Sequence, residues 1–397
     1  MKKIVYLDNE RTTMVAKEVI EAMIPYMSEY YGHPASLHTL GQQAYDAIEQ
    51  SAETIAETIN AKPDEIVFTS CGTEANDFAI RGVAYANRNR GRHIITTRIE
   101  HPSIMRITEE LAKQGFKIDY LEVDKEGFID LRQLENLLTD ETILVSIMHV
   151  NHEIGTIEPI KEVGKLLKEK KQKIYFHVDG QSSYAKVPIN VQDFNIDLLT
   201  LSSHKIHGPK GVGALYIRQG TKIEPIFKGY ISVQRLRPGT ENIPGIVGFA
   251  KAAEIAFANF EENVSHMRGL RDKLIKGIED NIPEVLLHGP RGDKRSPANV
   301  NFSFKYIEGE SITLHLDMYG ICVSTGSACA SRKLEPSHVL TAIGVPPEIA
   351  HGSIMFSLSR YNTEEEIDYV LDVLPKVIGK LRSISPLTPE SLKKSGE

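Results

Sequence analysis

The residues whose spacing most clearly suggests chemistry lie in the run Leu198-Leu199-Thr200-Leu201-Ser202-Ser203-His204-Lys205-Ile206-His207-Gly208-Pro209-Lys210-Gly211. An apolar stretch ends in hydroxyl residues and a histidine, a lysine follows, and a Gly-Pro-Lys-Gly turn closes the run. A second stretch, Ile174-Tyr175-Phe176-His177-Val178, ends in Asp179, 26 residues before that lysine (205 − 179). A lysine amine forms a Schiff base with an aldehyde. An upstream acid can pair with a pyridinium nitrogen, while Ser202 and His204 reach a phosphate. Lys205 and Asp179 so disposed have the layout of a pyridoxal 5'-phosphate (PLP) site.

Three further groups could join them. Thr69-Ser70-Cys71-Gly72-Thr73-Glu74 reads as a strand end, a small-residue turn and a helix start. Backbone N–H groups at Gly72 and Thr73 would cradle a phosphate there, although such residues before a helix often serve only as caps. His101, in Glu100-His101-Pro102-Ser103, follows an apolar run and could stack on a cofactor ring; a lone histidine is as readily a loop or core residue. Cys329 sits in Ser324-Thr325-Gly326-Ser327-Ala328-Cys329-Ala330-Ser331, a loop with nothing to bury a thiol. Exposure and mobility suit a nucleophile that must move. Cys71 and Cys322 read as structural, small buried hydrophobes. No zinc-type Cys/His spacing occurs, so no metal is expected.

The elements that must position these groups follow from the hydrophobic pattern. Nearly continuous apolar runs at 65–69, 93–97, 117–121, 142–147, 174–178, 198–201 and 213–217 read as strands covered on both faces. Helical spacing at 104–114 and 160–171 alternates with them. The fold class is therefore α/β, a doubly wound, mostly parallel sheet, with ligands outside the carboxyl ends of the strands. The singled-out residues fall just after those strands. A helical pattern then runs from 246 to 282, followed by strand-like 298–304, a helix near 309–319, a strand at 321–324 and a helix over 363–382. These read as a smaller α+β domain. We expect a large domain over 15–258 and a small one built from 1–14 and 259–397. The tail from Ser385 is polar and reads as mobile.

Bulk properties bound the function. With 397 residues the chain can hold two domains. Its 41% hydrophobic and 25% charged content is that of a soluble globular protein. A net charge of −7 argues against a nucleic-acid binder. No apolar run approaches the ~18–20 residues of a membrane helix. Met1-Lys2-Lys3 passes directly into strand-like Ile4-Val5-Tyr6-Leu7, too short for a signal-peptide core. Three cysteines make no disulfide framework, and a reducing, cytoplasmic location is expected.

Together these motifs resemble the cysteine desulfurases among the class V, fold type I PLP enzymes. The resemblance runs from Tyr6-Leu7-Asp8 to Ser385-Pro386-Leu387. It is carried by Gly32-His33-Pro34-Ala35-Ser36, Glu100-His101-Pro102, Ile147-Met148-His149-Val150-Asn151, Ser203-His204-Lys205-Ile206, Arg237-Pro238-Gly239-Thr240, Tyr306-Ile307-Glu308-Gly309-Glu310-Ser311, Leu334-Glu335-Pro336-Ser337-His338 and Arg360-Tyr361-Asn362-Thr363. The Ser-Thr-Gly-Ser-Ala-Cys loop is similar to that of the iron–sulfur housekeeping and nitrogen-fixation branch. The resemblance implies a seven-stranded sheet in the large domain. It implies that Lys205 holds PLP and moves protons, that Asp179 binds the pyridinium and that His101 stacks on the ring. Gly72, Thr73, Ser202 and His204 would bind the phosphate, helped by Thr240 from the partner of a homodimer. Cys329 would take the sulfur of L-cysteine as a persulfide, leaving alanine, for an iron–sulfur scaffold or another sulfur acceptor. Two alternatives stay open: another PLP enzyme such as a β-lyase or aminotransferase, and a low-activity sulfur-relay partner of a scaffold protein.

The departures from the family cluster where the substrate would lie. His152 stands in place of a second Asn in Asn151-His152-Glu153 and can titrate near neutrality. Ser182 occupies the place of a Gln that bonds the cofactor's phenolic oxygen. Met355 replaces the Arg that clamps the substrate carboxylate, which a thioether cannot imitate. Arg11, in Asp8-Asn9-Glu10-Arg11-Thr12-Thr13, replaces a small Ala. Gly229-Tyr230-Ile231-Ser232-Val233-Gln234-Arg235 replaces a glycine-rich turn. These changes read as neutral drift, as compensation in which Arg11 supplies the missing guanidinium, or as a changed substrate.

Overall fold

The computed structural model describes residues 4–234, 236–326 and 336–390. The seven expected strands form one sheet, in the order Ile66–Thr69, Gly213–Ile217, Leu198–Ser202, Tyr175–Asp179, Thr142–Met148, His93–Thr97 and Lys117–Leu121. Gly213–Ile217 runs antiparallel to both its neighbours; every other pairing is parallel. The apolar runs are continuous because both faces are covered. Successive side chains point to opposite faces. Leu199, Leu201, Phe176 and Val178 pack toward helices Thr39–Thr58 and Ile243–Ala258. Leu198, Tyr175 and Leu144 pack toward helices Gly72–Asn87 and Pro102–Lys113. The first strand starts one residue later than expected, because Glu65 closes a 3-10 turn begun by Pro63.

A separate core unites Val5 and Leu7 with the helices Phe260–Asn281 and Glu364–Ile384 and with an antiparallel sheet ordered Ser353–Ser357, Asn299–Phe304 and Val285–Leu287. Val5–Tyr6 pairs in parallel with Ile321–Cys322, which ties the N-terminus to this second core.

Three expectations are corrected. The helical pattern over 246–282 is two helices, Ile243–Ala258 and Phe260–Asn281, meeting at 77°. Asn259 between them leaves the helical region (φ −127, ψ 41). The first helix packs into the core of the large sheet and the second into the other core, so the bend hands the chain across. The proposed boundary between domains falls at this bend. The strand over 321–324 shortens to Ile321–Cys322, and Ser324 makes only an isolated bridge with Met355. The tail from 385 is not wholly a loose polar end: Ser385 Oγ donates to Tyr306 O at 2.6 Å and Thr388 is buried. Among the described residues no single helix is long and apolar enough to cross a membrane.

Candidate active site

A cavity of about 210 Å³ opens at the carboxyl ends of the central strands. Lys205 follows Leu198–Ser202 in a short 3-10 turn, Asp179 ends Tyr175–Asp179, and His152 follows Thr142–Met148. His101 caps the helix Pro102–Lys113, its Nδ1 accepting from Ser103 N. Gly72 and Thr73 open the helix Gly72–Asn87. All six line the cavity, together with Ser182, His204, Arg11 and Met355. Ten of the residues expected from the sequence are thus gathered around one space. Ser202 lies at the end of its strand, fully buried. Thr240 is exposed and does not line the cavity of its own chain. Cys329 lies outside the described residues, but Thr325 and Gly326, at the start of its loop, line the cavity.

Asp179 is held by a fixed donor set. Asn76 Nδ2 donates to its Oδ2 at 2.9 Å, Gln181 N to its Oδ1 at 3.0 Å, and Gln181 Nε2 to its Oδ2 at 3.2 Å. Asn76 also reaches Ser103 Oγ, which bonds His101 Nδ1 at 2.8 Å. A chain of side chains therefore couples the orientation of the acid to that of the histidine. Gln181 packs over the helix start so closely that a Cβ on Gly72 would meet its Oε1 at 1.7 Å. Glycine there lets side chain and helix N-terminus share the space.

The rings of His101 and His152 meet edge to face, centroids 5.2 Å apart. Burial, reinforced by the positive Lys205, holds the pKa of His101 below its ordinary value. Burial pushes His152 well below, with His101 and Lys205 adding to the effect. His152 therefore stays neutral rather than titrating near neutrality as its type suggested. His204 is lowered to about 4, chiefly by burial and then by Lys205.

Sequence reasoning missed Glu10. Its Oε1 accepts from Lys205 Nζ at 2.5 Å and from Ser182 Oγ at 2.5 Å, and its Oε2 lies 3.2 Å from Lys186 Nζ. Burial alone would raise its pKa, but Lys186 and Lys205 outweigh that and draw it down to about 2. The signal was present in Asp8-Asn9-Glu10-Arg11: an acid beside an unusual base in the same short motif. Two more unforeseen groups line the cavity. Cys71, expected to be structural, is one. Glu153 is the other; burial raises it to about 7 although Ser337 Oγ donates to it at 2.5 Å.

Arg11 Nη2 donates to Thr325 O at 3.4 Å, and its Nε lies 3.9 Å from Asp8 Oδ1. The Arg11 side chain therefore lines the same cavity as Met355, which is buried with 3% exposure.

The residues present fit PLP. The helix Gly72–Asn87 has no side-chain cap bond at Cys71, so its first N–H groups remain available to an anion. Ser202 Oγ is a buried hydroxyl without a hydrogen-bond partner, which a phosphate would satisfy. Lys205 supplies an amine, and Asp179 a carboxylate already oriented for a ring nitrogen. Fold and cavity together define a PLP-dependent enzyme of the aminotransferase type.

The profile of the class-V aminotransferase family matches residues 5–370. A cysteine desulfurase IscS of Dictyoglomus turgidum is 52% identical over 390 residues, covering 98% of each chain. Among solved structures, a NifS-like protein superposes with TM-score 0.90 at 40% identity, covering 96% of this chain and 100% of its own. SspA in complex with cysteine superposes with TM-score 0.79 at 34% identity, covering 91% of this chain and all of its own. The chain belongs to the class-V aminotransferase family and, within it, to the cysteine desulfurases.

Proposed function

We propose that the protein converts L-cysteine to L-alanine and holds the released sulfur as a persulfide on Cys329. The observation that carries this reading is one cavity lined by Lys205, Asp179, the start of the helix Gly72–Asn87 and the stem of the Cys329 loop. Bound PLP supplies the sink for the electron pair left at the substrate Cα. Asp179, fixed by Asn76 and Gln181, holds the ring nitrogen. The helix start, Ser202 and His204 hold the phosphate, and His101 stacks on the ring. Lys205 takes the Cα proton at its Nζ. Arg11 binds the substrate carboxylate, a role that Met355 in the same cavity cannot fill. Cys329 lies three positions beyond Gly326 in the sequence (329 − 326), a reach of at most roughly 11 Å. The Cys329 thiolate attacks the substrate sulfur, the Cβ–S bond breaks, an S–S bond forms, and protonation of carbon completes alanine. Cys–SH plus cysteine thus gives Cys–S–SH plus alanine, with no external oxidant.

The persulfide would pass to an iron–sulfur scaffold or another sulfur acceptor, in a cytoplasm that keeps the thiol reduced. We also infer a homodimer. Two observations support it: Thr240 does not line the cavity of its own chain, and Ile20, Ile24, Met27 and Leu37 are exposed apolar side chains near the N-terminus. Sedimentation of the full chain is expected to give a dimer, and Ile24→Asp to shift it toward monomer.

The central test is PLP-loaded protein incubated with L-cysteine. Alanine and protein persulfide should appear in equal amounts in the first turnover. Cys329→Ala should abolish the persulfide while keeping the cofactor's spectral response to cysteine. Pyruvate, ammonia or a keto acid in place of alanine would overturn the reading.

A further inference from the structure

Among the described residues Glu10 is the charged group nearest to Lys205 Nζ, and no step of the proposed desulfuration uses it. Its carboxylate is nine-tenths buried and its geometry is shared with two lysines and a hydroxyl. Lys186 approaches Oε2, whereas Lys205 and Ser182 both approach Oε1. Ser182 Oγ also lies 3.3 Å from Lys205 Nζ, so amine, hydroxyl and carboxylate form a closed triangle. Glu10 N donates to Ser357 Oγ at 2.8 Å, which anchors the residue to the strand Ser353–Ser357. The carboxylate is therefore delivered from the N-terminal segment, against the small sheet, to the lysine at the end of a strand of the large sheet. The other charged or titratable groups around it are Asp8 and Arg11 on its own segment, and Cys71, His101, His152, Glu153, Asp179 and His204 across the cavity.

We propose that Glu10 is the counter-ion of the cofactor lysine, a positioning residue that favours the protonated state of the nitrogen at Lys205 and aims that nitrogen across the cavity. The proposal rests on the reading of Lys205 as the PLP lysine. Lys186 alone would satisfy a structural carboxylate. The direct contact with Lys205 and the shared contact with Ser182 put Glu10 at the reacting nitrogen instead. In a cavity walled by buried side chains, an ion pair at this distance acts with little screening by water. As Lys205 accepts the substrate proton it becomes an ammonium, and Glu10 stabilises that state without itself gaining or losing a proton. The small Ser182 makes this possible, because its hydroxyl donates to Glu10 rather than filling the space.

The test is an absorption titration of the PLP-loaded full chain in the absence of substrate. The wild type, Glu10→Gln and Glu10→Asp are compared by the pH midpoint of the bound cofactor's visible spectrum. Loss of an adjacent anion disfavours the protonated form. The midpoint in Glu10→Gln is expected to fall by about one pH unit or more, a tenfold change or greater, with Glu10→Asp falling in between. An unchanged midpoint in a folded, loaded Glu10→Gln would mean that the carboxylate serves only Lys186, and would overturn the proposal. If Glu10→Gln does not hold cofactor, Glu10→Asp decides. Drawing the carboxylate back by one methylene must lower the midpoint, and no shift overturns the idea. Alanine formation from cysteine is measured separately on the wild type. Its failure would remove the desulfurase reading while leaving the titration interpretable.

Discussion

At the scale of single residues, one cavity gathers the groups proposed to hold a cofactor and those proposed to meet a substrate. Asp179, Gln181, Lys205 and His101 line one cavity, with Asn76 bonded to Asp179 and Ser103 to His101 behind them. The residues read from the sequence as departures, Arg11, His152, Ser182 and Met355, line the same cavity, His152 against His101 and Ser182 against Lys205. Arg11 carries the sharpest prediction. A guanidinium–carboxylate contact is charge-assisted and frequently bidentate. Arg11→Ala should raise KM for cysteine by about tenfold or more, from the ~1.5–3 kcal/mol such a bond contributes. kcat should change much less, since substrate and transition state share the contact. An unmoved KM in steady-state alanine assays would remove Arg11 from substrate binding. Arg11 stood out in the sequence because a guanidinium appears where Met355 has lost one. Glu10 did not, because the partner of a buried carboxylate is visible only in space: Lys205 lies 195 positions away.

At the scale of elements, the N-terminus of the helix Gly72–Asn87 is the part of the site where a single methyl group would act. Gly72 is buried against Gln181, and any Cβ there collides with that side chain. In Gly72→Ala, the Gln181 side chain must move, and Asp179 then loses its Nε2 donor, keeping Gln181 N and Asn76. The variant should release PLP about fivefold more readily in equilibrium dialysis, since one hydrogen bond of ~1 kcal/mol is disturbed. Asn76→Ala should act in the same direction through the third donor. Equal PLP affinity in both variants would show that the hydrogen bonds to Asp179 do not order the cofactor's acid. The strands of the large sheet were legible because unbroken apolar runs have one simple explanation, a strand covered on both faces. The bend at Asn259 was not legible. Helical periodicity continues on either side of a single residue, and only the change of packing partner, from one core to the other, shows that the axis turns.

At the scale of the whole molecule, the interior holds ionisable groups whose titration must be felt in stability. Glu100 is fully buried behind the site, with Thr97 Oγ1 and Met148 N both donating to its Oε1 and its Oε2 left without a partner. Burial raises it to about 8, Asp179 adds to the rise, and the two hydrogen bonds oppose it. A neutral acid is what an orphaned buried oxygen in this position favours. Because the folded value lies above the unfolded one, the folded state binds more protons between about 4.5 and 8. Its contribution to stability is complete below the unfolded value and is lost as pH rises through the folded one. His149 and His177 act on the other side: burial lowers each from 6.5 to about 4, so their contribution is lost as pH falls through that interval. Stability should therefore decline toward both ends, and the two limbs can be separated. Glu100→Gln keeps the oxygen that accepts from Thr97 and Met148 but cannot ionise. Melting temperatures of the apo chain between pH 5 and 8 should fall with pH less steeply in Glu100→Gln than in the wild type, the gap opening toward pH 8. The decline below pH 6.5 should remain in both, because the histidines are untouched. Parallel curves above pH 6.5 would mean that Glu100 is already ionised in the folded protein, and that the alkaline limb arises from another group, of which Glu153, raised to about 7, is the next to replace.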